Sequence, residues 1–191
     1  MNIINEKEAI RKLNKGNPLI FQTDTLPAIG CNPDYSEIIF RIKKRDKKKP
    51  LILMGSNISQ LINNVHSVAR DDVQEIASKF WPGPLTLIIP AHENCNFKFL
   101  SSEKTLGIRV PNSFSAKSLI LKTGPLATSS ANISGETTSL TENQVSNDLP
   151  NVPLLGPIPW HKCSGEASTI ISWKKNGEWE LIRQGRLTFS R

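Results

Sequence analysis

Residues 125–135, PLATSSANISG, hold four hydroxyl side chains, one asparagine and a closing glycine, just after a short helical pattern. Their apolar residues are too few and too scattered to build a core, and only Leu126 to Thr128 has the character of a short strand. Alone, such a run reads as a turn or a helix cap. The rest of the chain repeats the arrangement, an apolar run of strand length with a polar cluster at one end. Thr23, Asp24 and Thr25 follow PLIF (residues 18–21), and the basic run KKRDKKK (43–49) precedes PLILM (50–54). Thr105 and Arg109 sit in TLGIRVP (105–111), Ser168 and Thr169 open a run, and Arg183 ends one. In an α/β sheet, ligands usually lie beyond the ends of strands.

The intervening segments read as helices. Residues 5–15 carry Ala9, Ile10 and Leu13 and stop at Gly16, which suits a short helix with a glycine stop. DYSE (34–37) resembles a capping box with Asp34 at the cap, opening a helix through about Lys43. Ala69, Val73, Ile76 and Phe80 share one helical face, and WPGP (81–84) breaks that helix. A further helix is predicted near 115–121. Residues 85–90 and 106–110 read as buried strands, 24–34 as a loop, and 91–104 and 135–150 as mobile loops. Residues 168–173 and 178–183 flank Asn176-Gly177, a hairpin signal. The alternation predicts a single α/β domain over residues 1–191, with a twisted, mixed sheet and no internal repeat or linker.

A chain of 191 residues hides roughly 70% of its unfolded surface. With 38% hydrophobic and 21% charged residues it reads as a soluble globular protein. Its apolar runs fall far short of the roughly 20 residues that span a membrane. The N-terminus mixes acids and bases with no apolar stretch, so no signal peptide is expected and the cytoplasm is the expected compartment. A net charge of +7 fits either a lysine-rich solvated surface or an anionic partner, nucleotide or RNA. The three cysteines make no disulfide framework. His92/Cys95 and His161/Cys163 could together supply zinc ligands, but neither pair has a common finger spacing, and coincidence explains them better.

Hydroxyls and cations with few carboxylates suit a polyanion. Arginine offers a bidentate fork, lysine a point charge, and hydroxyls and loop amides complete a phosphate shell. No GxSxG elbow, GxxxxGK[ST] loop or GxGxxG fingerprint is present, which argues against a serine hydrolase, a P-loop and a Rossmann site. Arg109 lies inside an apolar strand pattern, where an unpaired charge is costly, and Arg183 is placed similarly. Both are expected to face a site.

The series FQTDTLPAIGC, KKRDKKKPLILM, WPGPLTLIIP, TLGIRVP, PLATSSANISG, STII and IRQG resembles, in order and spacing, the YrdC/TsaC family of threonylcarbamoyl-AMP synthases. The resemblance runs from about residue 19 to residue 185. It implies an α/β domain with a twisted sheet around a basic concave cavity. It implies synthesis of threonylcarbamoyl-adenylate and pyrophosphate from L-threonine, bicarbonate or CO2, and ATP with Mg²⁺. A partner transferase complex would then pass the group to an adenosine beside the tRNA anticodon, with direct tRNA binding left open. Lys43 and Arg45 match the family's Lys-x-Arg motif, with Lys49 following, and would meet the phosphates as the catalytic cations. Ser130 and Asn132 match its Ser-x-Asn motif and would cradle the nucleotide phosphates. Thr105, Thr128 and Arg183 fall at ATP contacts, with Thr138 a further candidate. Thr25, Arg109 and Ser168 match positions that hold L-threonine, Arg109 as the carboxylate clamp.

The chain departs from the family at Gln22, Pro27 and Ala28, where the pattern has proline, an aromatic residue and glycine. Met54 stands where histidine or valine is usual, and Ser129 is an extra hydroxyl. These departures touch the substrate pocket and none removes a charged group. A rival reading is an RNA-binding module of the same fold without synthesis, although aromatic stacking surface is sparse. A second rival is a carbamoyl-adenylate paralogue of the hydrogenase-maturation type, which usually sits in a larger chain with zinc motifs.

Overall fold

The computed structural model describes residues 1–97, 100, 104–175 and 177–189. Five α-helices and ten strands are assigned among them: β1 (Ile3–Ile4), α1 (Glu6–Asn14), β2 (Leu19–Phe21), β3 (Ala28–Cys31), α2 (Glu37–Lys43), β4 (Ile52–Met54), α3 (Arg70–Phe80), β5 (Leu85–Pro90), β6 (Thr105–Arg109), α4 (Phe114–Thr123), β7 (Leu126–Ser130), α5 (Glu142–Asp148), β8 (Leu154–Leu155), β9 (Thr169–Trp173) and β10 (Trp179–Arg183). The strands form one ten-stranded sheet in the order β1-β8-β2-β3-β7-β4-β6-β5-β9-β10. It is mixed, as the alternation predicts. β4 runs parallel to β6 and β5 to β9, while β3–β7, β4–β7, β5–β6 and β9–β10 are antiparallel.

Alternation along the strands divides the sheet into two faces. One face carries Leu53, Leu85, Leu87, Ile89, Leu106, Ile108, Ala127 and Ile171, packed with Ile39 and Phe40 of α2, Val73 of α3 and Val145 of α5. The other carries Leu19, Phe21, Ala28, Met54 and Leu126, and there α1 and α4 lay down Ala9, Leu13, Ala116, Leu119 and Ile120. These two helices cover only one end of their face. The remainder is open, and it is floored by polar and small residues.

Four local readings differ from the structure. PLATSSANISG is not too sparse to join the core: β7 runs through Ser130 at the centre of the sheet, and Leu126, Ala127 and Ala131 are buried. Its hydroxyls alternate onto the open face, so the apolar count alone understates the strand. Ala28–Cys31 is a strand rather than loop, satisfied by ladders on both sides. Residues 135–150 contain α5, started by a reciprocal cap between Thr141 and Gln144. At the start of α2 the cap is displaced. Asn32 caps a short 3-10 turn, Pro33–Tyr35, and Asp34 is inside that turn. Part of the 91–104 loop, and Asn176 of the hairpin signal, lie outside the described residues, although β9 and β10 do pair antiparallel. Residues of the two His/Cys pairs are not gathered: among the described residues no group of three or more His, Cys, Asp or Glu could hold a metal ion.

The segment after β10 folds back on the start of β9. Thr169 Oγ1 accepts the N–H groups of Gly185 (3.0 Å) and Leu187 (3.1 Å), and Arg186 N–H reaches Ala167 O at 2.9 Å. Phe189 then meets Phe80 edge-to-face at 6.4 Å. Gly185 is required by close approach, since a Cβ there would lie 2.7 Å from the Ser168 backbone. Gly185→Ala is expected to cost about 2 kcal/mol through overpacking, read as a lowered urea midpoint.

Candidate active site

The open face of the sheet is the floor of a cavity of about 580 Å³, a size suited to a small-molecule ligand. Residues two apart on each strand point into it. β6 contributes Thr105, Gly107 and Arg109, β5 Thr86 and Ile88, β4 Ile52 and Met54, and β7 Thr128 and Ser130. Ser168, just before β9, and Ile170 within it also enter, with Ile182 and Arg183 from β10 and Arg45, Lys48 and Lys49 from the segment after α2. Thr23, Thr25 and Thr138 complete the hydroxyl set. No aspartate or glutamate is among the described lining residues.

Arg109 is 5% exposed, and its guanidinium is held on three edges. Nη2 pairs with Asp24 Oδ1 at 2.7 Å, Nη1 donates to Thr25 Oγ1 at 2.8 Å, and Nε donates to Gly83 O at 3.1 Å. The Asn112 N–H also donates to Asp24 Oδ1, at 3.0 Å, so that carboxylate is fixed from two sides. Burial pulls the Arg109 pKa below its usual value, Asp24 pushes it back up, and the like charge of Arg183 lowers it further. Burial also lowers the pKa of Arg45 and Arg183. Arg183 donates to Ser168 O at 2.8 Å, and the Ser168 hydroxyl shares a 2.8 Å hydrogen bond with Thr86. Arg45 donates to the carbonyls of Lys49 (3.2 Å) and Pro50 (2.9 Å). The cavity thus gathers cations held by neutral oxygens, with one carboxylate at its edge.

All the residues named from the sequence line this cavity except Lys43 and Asn132. Lys43 ends α2 and is 1% exposed. Its ammonium donates to Ser130 O, Asn132 O and Asn132 Oδ1, which accounts for its three donors. Lys44 then adopts a left-handed conformation, φ +50°, which turns the chain so that Arg45 faces the cavity. Asn132 Oδ1 accepts from Ser130 Oγ at 2.6 Å, and its amide donates to Ile133 O (2.9 Å) and Glu136 O (2.7 Å). Lys43 and Asn132 therefore sit behind the wall as the cross-link of the Ser130–Glu136 loop, where a direct phosphate contact had been expected of both. Burial, with Arg45 adding repulsion, brings the Lys43 pKa down to about 8.

Thr86 and Lys48 also line the cavity without having been singled out in the sequence, and so does Ser129, the extra hydroxyl. Thr86 had a signal, since it is the one hydroxyl within LTLIIP and alternates with Ile88. The departures fall in the same place. Pro27, Ala28 and Met54 line the cavity, and Gln22 instead donates its amide to His161 O.

Residues 11–185 match the Sua5/YciO/YrdC family profile, described as "Telomere recombination". The chain belongs to this family. Relatives include a threonylcarbamoyl-AMP synthase of Blochmanniella floridana, 34% identical over 162 residues, which cover 78% of this chain and 85% of the relative. A threonylcarbamoyl-AMP synthase of Vibrio vulnificus is 29% identical over 192 residues, 96% of this chain and all of the relative. Among solved structures, P. abyssi Sua5 complexed with L-threonine superposes with a TM-score of 0.86 at 26% identity over 97% of this chain. This chain spans 58% of that protein's length. E. coli YciO, at 22% identity and a TM-score of 0.79, covers 96% of this chain and 94% of its own, and shares the fold.

Two predictions follow from the buried charges. Asp24→Asn leaves the Arg109 guanidinium buried without its counter-charge and is expected to cost about 3 kcal/mol in urea unfolding. For Lys43 the folded pKa of about 8 lies below the ordinary 10.5. Between those values the unfolded chain binds more protons than the folded one, so this residue's contribution to stability rises with pH. Wild type should therefore gain stability relative to Lys43→Met between pH about 8 and about 10. A constant difference would contradict the linkage.

Proposed function

We propose that this chain is a threonylcarbamoyl-AMP synthase, a nucleotidyltransferase that joins L-threonine, bicarbonate or CO2, and ATP. The observation that carries the reading is a cationic, hydroxyl-lined cavity built around a buried arginine, in a chain whose curated relatives bear that name. Arg109, Thr25 and Ser168 form the amino-acid end, with the second N–H of Arg109 Nη1 and Nη2, beyond those given to Thr25 and Asp24, taking the carboxylate. Arg45, Lys48, Lys49, Thr105 and Ser130 form the nucleotide end, with Thr128 and Thr138 beside them, and Arg183, bonded to Ser168 O and near Arg109, meets the phosphates from the side of the amino acid. Lys43 and Asn132 act as positioning residues, holding the Ser130 loop at its place in the wall.

The threonine amine adds to CO2, and loss of a proton leaves a carbamate. A carbamate oxygen attacks the α-phosphorus in line. The new C–O–P bond forms as the bond to the β-phosphate oxygen breaks, and pyrophosphate leaves with that electron pair. Arg45 and Arg183 offset the negative charge that builds on the leaving oxygens. The described lining offers no carboxylate to hold a resident metal, so Mg²⁺ is read as entering with the triphosphate, as part of the substrate. The product would go to a tRNA-modifying transferase complex in the cytoplasm. Direct tRNA contact is not needed for the synthesis itself.

Pyrophosphate release from ATP should require both L-threonine and bicarbonate. Arg109→Ala should lower kcat/KM for threonine roughly 100-fold, the effect of losing about 3 kcal/mol of charged hydrogen bonding. Absence of threonine-dependent release from folded wild type would overturn the enzyme reading in favour of an RNA-binding role.

A further inference from the structure

The floor of the cavity has a gap in its side chains at Gly107. On β6, Leu106 and Ile108 are fully buried on the helix-covered face, whereas Thr105, Gly107 and Arg109 line the cavity. Gly107 is the one glycine among the described lining residues. On the strands either side its register partners are Ile52 of β4 and Ile88 of β5, and both line the cavity. The result is a notch with a backbone floor and two apolar walls.

Nothing in the packing calls for glycine there. Its φ lies outside the left-handed region, unlike those of Gly16, Gly124, Gly135, Gly165 and Gly177. A Cβ at Gly107 would meet the Ile52 side chain at 3.5 Å and nothing closer, an ordinary contact. At Gly30 and Gly55, by contrast, a Cβ would lie 2.8 Å and 2.7 Å from a buried side chain. Glycine weakens a strand interior and often marks a place where a ligand approaches the backbone closely. The free volume above Gly107 is therefore available to a ligand.

We propose that the notch over Gly107 seats the carbamoyl–phosphate junction of the product, and that glycine is needed there for ligand volume rather than for the fold. This rests on the synthase reading. Thr105 and Arg109 lie about 13 Å apart along one extended strand, with Gly107 midway. With the amino acid held at Arg109 and the nucleotide toward Thr105, the segment crossing Gly107 is the bond that joins them. Its walls suit that bond. Ile52 and Ile88 present hydrocarbon, and strand β6 is paired on both sides, so the notch is a poor seat for water. A mixed carbamic–phosphoric anhydride is open to hydrolysis, and exclusion of water protects it. A β-methyl or isopropyl group would fill the notch and push the junction off the floor.

The test uses the full chain as Gly107→Ala and Gly107→Val, with three readouts: thermal midpoint, calorimetric affinity for L-threonine alone, and threonine- and bicarbonate-dependent pyrophosphate release. Valine is favoured in strands, so the midpoint should fall by no more than about 3 °C. Threonine affinity should stay within about threefold, while pyrophosphate release should drop roughly 10-fold in the alanine variant and roughly 100-fold in the valine variant. Wild-type-like release by Gly107→Val would overturn the proposal. So would a large fall in the midpoint, which would make the glycine structural, or an equal loss of threonine affinity, which would place the amino acid itself in the notch. A wild type that releases no pyrophosphate would remove the synthase reading and this proposal with it, whereas an active wild type beside an active Gly107→Val would remove the proposal alone.

Discussion

A guanidinium buried at the end of a central strand sets the terms for this molecule. Arg109 is 5% exposed in a sheet whose other side is hydrocarbon, and such a charge is tolerable only when it is paired and hydrogen-bonded. Gly83 O, Thr25 and Asp24 each take one N–H at a different nitrogen, and they come from the loop after β2 and from the turn before β5. Meeting that requirement draws distant segments together. The Asp24 and Thr25 carbonyls in turn accept the N–H groups of Ser164 and Gly165, each at 3.1 Å, which brings the approach to β9 against the same corner. The amino-acid end of the cavity is in this sense the packing solution for one arginine.

The opposite end is organised by a second buried cation with a different solution. Lys43 has no carboxylate partner among the described residues and is held by carbonyls of the loop after β7. Beside it the Arg45 side chain faces the cavity, while Arg183, bonded to Ser168 O, stands nearer Arg109 and lowers its pKa. Cations crowded together and solvated mainly by neutral oxygens form a site with an excess of positive potential. An anionic ligand lowers the energy of such an arrangement. The two ends together account for a cavity with a clamped arginine at one side and exposed cations and hydroxyls at the other, which is the arrangement behind the proposed synthase reading.

Much of this was legible in the residues, for identifiable reasons. LTLIIP and LGIRV are recognisable because one face of each is wholly hydrocarbon, and the arginine in LGIRV stands out against it. PLATSS was harder because its inner face is hydrocarbon only at Ala127 while its outer face lines the cavity with hydroxyls, which mask a central strand. AIGC between two prolines lacks the β-branched signature and is a strand because its neighbours supply both ladders. Motif adjacency does not fix side-chain direction. Lys43 and Arg45 are two residues apart in one motif, and the left-handed turn at Lys44 sends one into the wall and the other into the cavity. Side-chain direction after a helix end is set by a backbone dihedral that a motif does not encode.

The measurement that bears most directly on the account is the fate of labelled bicarbonate. Wild-type protein would be incubated with ATP, L-threonine and ¹³C-bicarbonate, and the nucleotide products read by mass spectrometry and ¹³C NMR. The account predicts a nucleotide that carries threonine and one labelled carbamoyl carbon, formed only when all three substrates are present. AMP without a labelled adduct, or an adduct that forms without threonine, would contradict it.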